Sequence, residues 1–130
     1  MSGCNRGGVR EVSRIIYACG GCADVGEVAD QACRKLRREG VAQASMSCIT
    51  GLAAHMQPFI DAAKKAEQVV VIDGCPVLCA KKVLEHVDVA PVSYVLTQMG
   101  LEKGKTEVTQ QVINEISEKI KAELNANISK

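Results

Sequence analysis

Four consecutive β-branched residues, Val69–Ile72, run without polar interruption into Asp73-Gly74-Cys75-Pro76-Val77-Leu78-Cys79. A strand with no polar alternation is buried on both faces, and such strands occupy the middle of parallel sheets. Asp73-Gly74 ends the strand in a turn. Pro76 then falls at the first position of a helix, where its missing N–H costs nothing. This reading places Cys75 at the N-cap and Cys79 one turn later on the same face. Two thiols are thereby presented at the C-terminal end of a central strand, where a helix N-terminus favours thiolate over thiol.

The segments around this strand alternate in type. A strand is predicted over Val12–Ala18, then a tight turn at Cys19-Gly20-Gly21-Cys22. A helix follows from Asp24, with Asp24 and Glu27 at capping-box spacing and Gly40 as its C′ residue. Its apolar stripe is Val25, Val28, Ala29, Ala32, Cys33 and Leu36, which makes Cys33 a small core residue. A weaker strand is expected over Val41–Ile49, ending at Cys48, and a helix over Ala54–Ala66 with Pro58 confined to its first turn. After the central strand come a helix over Pro76–His86, a strand from Pro91 through Leu96 and a last helix over Glu107–Ala126. The order β-α-β-α-β-α-β-α specifies an α/β fold. The expectation is a three-layer, Rossmann- or flavodoxin-like structure, a parallel sheet of about four strands in order 2-1-3-4 with helices on both faces. Residues 12–130 form one domain in this reading, preceded by a flexible arm over 1–11 that carries Cys4 as an exposed thiol without a role.

Composition narrows the function. A formal charge of +1 and 2% aromatic residues supply neither a field for polyanions nor a platform for stacked bases, so nucleic acid is not an expected partner. The longest apolar runs are strand-length and the first residues precede no signal-type apolar stretch, so no membrane association is expected and the cytoplasm is the default location. Seven cysteines, an odd number with no export signal, then read as metal ligands or redox groups rather than disulfides.

The expected topology gathers five of them. Cys19 and Cys22 follow the first strand, Cys48 ends the second, and Cys75 and Cys79 follow the third. With strand order 2-1-3 these three strand ends are neighbours at the rim where open α/β sheets bind ligands. Four thiolates in a tetrahedron suit zinc, and helix N-termini behind Cys22 and Cys75 would offset their charge, with Lys81 and Lys82 helping at longer range. The C-x-x-C pair between a strand and a helix equally suits a thiol redox couple, and Cys75 at a helix N-terminus suits persulfide or sulfur-transfer chemistry. The first strand is followed by no dinucleotide-type glycine fingerprint: Gly20, Gly21 and Gly26 have the wrong spacing. No C-x5-R phosphatase loop follows any of the expected strands.

Tyr17-x-Cys19-x-Gly21, Asp24-Val25-Gly26-Glu27, Met46-Ser47-Cys48, Ile72-Asp73-Gly74-Cys75-Pro76 and Cys79-Ala80-Lys81-Lys82 together resemble the DGC domain family, named for its Asp-Gly-Cys tripeptide, and Gly100-Leu101-Glu102-Lys103 is similar to its closing motif. The resemblance runs from about Ile15 to Lys103. It implies a zinc-binding protein whose biochemical activity is unassigned, with Cys19, Cys48, Cys75 and Cys79 as the characteristic cysteines and so the metal ligands. Cys22 stands where many relatives have a small residue, which leaves it open as a further ligand, a resolving thiol or a bystander.

Other polar residues have secondary expectations. Asp73 is read as a turn residue that caps the following helix, Asp24 as the cap of the first helix, and both, with Lys81, as support for the cysteines. His55 is a candidate replacement ligand or proton shuttle beside Cys48, and His86 a favourable cation at a helix C-terminus. The charged faces of the last helix are read as solvated, with a partner-binding role as the alternative. Whether the protein is an enzyme, and whether it forms a homo-oligomer, the sequence leaves open.

Overall fold

A computed structural model describes residues 13–128, so the expected arm with Cys4 lies outside the described residues. In chain order the elements are β1 (Arg14–Ala18), α1 (Asp24–Arg38), α2 (Ile49–Ala53), α3 (Gln57–Lys65), β2 (Gln68–Asp73), α4 (Cys79–His86), β3 (Val92–Val95), a 3-10 turn (Leu96–Gln98) and α5 (Gln110–Ile128). The three strands are parallel in the order β1-β2-β3. Ile15 pairs with Val69 and Ala18 with Ile72, while Val70 pairs with Val92 and Asp73 with Val95. The β-branched run therefore occupies the central strand, and Val69–Ile72 are all buried.

Alternation along the strands divides the interior into two cores. Ile16, Ala18, Val70, Ile72 and Tyr94 meet α1 and α5 through Val28, Ala32, Leu36, Ile116, Ile120 and Leu124. Ile15, Tyr17, Val69 and Val71 meet α2, α3 and α4 through Leu52, Ile60, Ala63 and Leu84. The result is a sheet with helices on both faces. Each of the larger side chains buried in these layers stabilises the fold by about 1.5–3 kcal/mol. α5 packs on α1, so its Ile116, Ile120 and Leu124 stripe is core.

Three expectations are corrected. The strand over Val41–Ile49 is absent: this segment is irregular and the described sheet has three strands, so the order 2-1-3-4 reduces to its last three members. The segment does run past the free edge of β1, where Gln43 N donates to Arg14 O at 2.9 Å and the buried Arg14 donates through Nη1 to Val41 O at 2.8 Å. Its Gln-Ala-Ser-Met-Ser composition has little β-branched content, and Met46 takes a positive φ of 66°, which no strand residue adopts. Next, the helix over Ala54–Ala66 begins earlier and divides into α2 and α3. His55, at φ 57°, makes the break, and Pro58 lies in the first turn of α3. Finally, the helix after β2 starts at Cys79 rather than Pro76. Leu78 N donates to Cys75 O at 3.2 Å, so Cys75–Leu78 is a turn with Pro76 at its second position. Proline's fixed φ serves that position as well as it serves the first turn of a helix.

Candidate functional site

The main-chain ladder between β1 and β2 continues one residue beyond β1, because Cys19 N donates to Ile72 O at 3.1 Å. That bond sets Cys19 beside Asp73 and Gly74. The loop Cys19–Ala23 and the loop Gly74–Leu78 then leave the two adjacent strand ends side by side, both seated on the first turn of α1. A Cβ on Gly26 would stand 2.7 Å from Gly21 O, and a Cβ on Gly74 would stand 2.7 Å from both the carbonyl carbon and the oxygen of Val25. Only glycine permits either approach. The Gly of Asp-Val-Gly-Glu and the Gly of Asp-Gly-Cys thus have one function between them: they let both cysteine loops close on the same helix turn.

The two loops wall a pocket of about 160 Å³ lined by Cys19, Cys22, Asp73, Cys75, Cys79 and Lys103, among others. Cys19 and Cys75 are half-buried, and Cys22 and Cys79 are exposed. Asp73, buried at the end of β2, accepts from Ala80 N at 3.0 Å and Lys81 N at 3.2 Å. It satisfies two orphan donors in the first turn of α4 and so locates Cys79, the first residue of that helix. Burial raises its carboxyl above the ordinary carboxylate range, opposed by the Ala80 and Lys81 amides and by the Lys81 and Lys82 charges. Lys81 thus acts on Asp73 through its backbone N–H, which bonds the carboxylate directly, and through its charge.

Asp24 is corrected from its expected role. Ala23 is the N-cap of α1, and Asp24 is the first helical residue. Its carboxylate accepts from Gly104 N at 2.9 and 3.0 Å, from Thr106 N at 2.9 Å and from Val25 N at 2.7 Å. The Gly104 and Thr106 amides are the main reason its carboxyl lies below the ordinary range. The loop after Leu101 is thereby pinned to α1, and Lys103 Nζ comes to lie 3.5 Å from Cys75 Sγ. In the sequence Lys103 stands out only as part of the closing motif Gly100–Lys103. Its partnership with Cys75, 28 positions away, has no local signal in the chain.

The remaining candidates stand elsewhere. Cys48 is not among the pocket-lining residues. It is the N-cap of α2, where its Sγ accepts from Gly51 N at 3.4 Å. It is also close enough to Tyr17 for its charge to add to burial in pushing the Tyr17 hydroxyl up to about 12, and that buried hydroxyl has no hydrogen-bond partner among the described residues. His55 is exposed beyond the far end of α2, away from Cys48, and His86 is exposed in the last turn of α4. Cys33 is fully buried, donates to Ile16 O at 3.6 Å and is pushed up to about 11 by burial. It belongs to the core, as its place in the apolar stripe requires.

The pocket therefore collects four thiols, soft donors of the kind that suit zinc and copper(I). They fit such an ion in type. In placement they line a shared wall rather than converge: among the described residues no three His, Cys, Asp or Glu side chains are grouped tightly enough to hold a metal ion. Among those residues, too, no helix is long and apolar enough to cross a membrane.

Comparison with known proteins agrees with the motif reading. The family model of the DGC domain matches residues 15–120. The Anaerobic and virulence modulator AnvM of Pseudomonas aeruginosa is 32% identical over 90 residues, which cover 68% of this chain and 67% of that protein. No solved structure matches the chain.

Proposed function

The chain belongs to the DGC domain family, and on that premise we propose that it is a zinc-binding protein whose thiolate ligands gather at the C-terminal ends of β1 and β2. The observation that carries this reading is that three of the four cysteines implied by the family motifs, Cys19, Cys75 and Cys79, line one pocket although 60 positions separate the first from the last. Cys48 is the fourth ligand in this proposal, contributed from the N-terminus of α2. Cys22, already in the pocket, competes with it for that place.

The chain's own groups prepare such a site. Asp73 holds the start of α4 and with it Cys79, and Gly26 and Gly74 bring the Cys19 and Cys75 loops together. Lys103 offers an ammonium to Cys75. A bound zinc ion would supply a dication to neutralise the thiolates and would cross-link two loops and a helix N-terminus. Because ligand thiols must lose their protons, binding weakens as pH falls.

The test is the metal content of protein expressed without added metal, followed by single Cys→Ser variants. Stoichiometric zinc lost on Cys19→Ser, Cys75→Ser and Cys79→Ser supports the reading, and the fourth ligand is whichever of Cys22→Ser and Cys48→Ser also loses it. Metal-free protein that takes up no zinc refutes it.

A second reading rests on the shared presence of Cys19 and Cys22 in the pocket at the start of α1. A C-x-x-C pair so placed suits a dithiol–disulfide couple. Mild oxidation would then link Cys19 to Cys22, and mass mapping of the bond distinguishes this from metal chemistry.

A further inference from the structure

Lys103 is the one cation among the residues that line the pocket, and its role toward Cys75 does not require a bound metal. The carboxylate of Asp24 receives both Gly104 N and Thr106 N. Thr106 Oγ1 donates to Glu102 O at 2.7 Å and accepts from Glu102 N at 3.1 Å, closing the loop on itself. Lys103 sits at the centre of this braced segment, and its Nζ points at Cys75 Sγ, 3.5 Å away. Asp73, the carboxylate that lines the pocket, is engaged by Ala80 N and Lys81 N, and Asp24 by the amides of the loop. Among the described residues Lys103 Nζ makes no ion pair with a carboxylate, so its charge is available to the sulfur and to whatever approaches it.

We infer that Lys103, braced by Asp24, makes the Cys75 end of the pocket a subsite for small anions that bond through sulfur, so that Cys75 reacts selectively with negatively charged partners. Lys103 is a positioning residue in this scheme. Its ammonium attracts the anionic group of the incoming molecule while the sulfur supplies the bonding electron pair. The inference does not depend on a metal and is tested on metal-free protein.

Iodoacetate and iodoacetamide differ in the charge of one small group and react by the same step. The Cys75 thiolate attacks the methylene carbon, the S–C bond forms as the C–I bond breaks, and iodide leaves with the electron pair. Both reagents consume the same ionised sulfur, so their rate ratio at a single pH is independent of how much of the thiol is ionised. The ratio is measured at Cys75 by peptide mass spectrometry and divided by the ratio for free cysteine.

In the wild-type protein this normalised preference for iodoacetate is expected to be about fivefold, the factor of two unit charges about 4 Å apart in water. Lys103→Gln is expected to bring it to about one, Lys103→Arg to retain most of it, and Asp24→Asn to lower it by loosening the brace. Raising the salt to about 1 M, where the screening length falls to about 3 Å, should suppress it in the wild type without any substitution. A normalised ratio of one in the wild type, or an equal preference in wild type and Lys103→Gln, overturns the inference. Failure of the protein to bind zinc would refute the metal reading and leave this result intact.

Discussion

The backbone of Gly74 rests on the carbonyl of Val25, so closely that a methyl group added at Gly74 would stand 2.7 Å from the Val25 oxygen. This contact joins the loop that carries Cys75 to the helix turn that follows Cys22. It also shows why Asp-Gly-Cys needs its glycine for a reason of packing rather than of φ, since Gly74 is not among the residues of positive φ.

Gly74→Ala and Gly26→Ala should each destabilise the fold by about 1–3 kcal/mol, the usual cost of forcing an extra carbon into a closed contact. Gly21→Ala is the control. Its added Cβ would meet only Cys19 Sγ at 3.9 Å, an ordinary contact, and the change should stay within about 0.5 kcal/mol. Urea denaturation of the three variants decides the matter. Equal stability of Gly74→Ala and Gly21→Ala would mean that the two cysteine loops are not closed on α1.

The Asp24 brace should release in acid. Its carboxyl lies below the ordinary value of 3.8, lowered first by the Gly104 and Thr106 amides. A depressed carboxyl contributes stability that is fully present above the unfolded value and is lost as pH falls through the lower, folded value. The amide resonances of Gly104 and Thr106 are therefore expected to shift together as pH falls, at a midpoint under 3.8. In Asp24→Asn that shared transition should vanish.

Cys33 should behave as core. In the folded protein, burial pushes its thiol up to about 11, from an ordinary 9.0. It should resist alkylation under conditions that modify the exposed Cys22 and Cys79. The unfolded chain ionises this thiol first, so its effect is to lower stability as pH rises from 9.0 toward about 11, with none below that window. Cys33→Ser should leave zinc content unchanged and cost about 1–3 kcal/mol. The loss should fall toward the lower figure, because Ile16 O and Arg37 Nη1 already stand at hydrogen-bond distance from the sulfur. Loss of zinc in this variant equal to that in Cys79→Ser would contradict its place in the α1 stripe.

Read from the sequence alone, the buried run Val69–Ile72 already determines a central parallel strand, because four adjacent β-branched residues leave no face for water. The apolar stripe of α1 determines in the same way that Cys33 is interior. The central place of β2, between β1 and β3, follows from that burial, and the placing of Cys19, Cys75 and Cys79 at neighbouring strand ends follows from it. These features rest on local composition and on periodicity, which a linear chain displays directly.

What only the tertiary structure decided depends on partners far apart in the chain. Residues 41–49 meet the free edge of β1 through Arg14 and Gln43 without adding a fourth strand to the described sheet. α4 begins at Cys79 because the Asp73 side chain reaches Ala80 and Lys81, so Pro76 serves a turn instead of a helix. Asp24, besides accepting from Val25 N in its own helix, holds Gly104 and Thr106, 80 and 82 residues away. That long-range bond brings Lys103 to Cys75, and no spacing of residues along the chain encodes it: a carboxylate at the start of a helix has the same local signature whether it caps that helix or binds a distant loop.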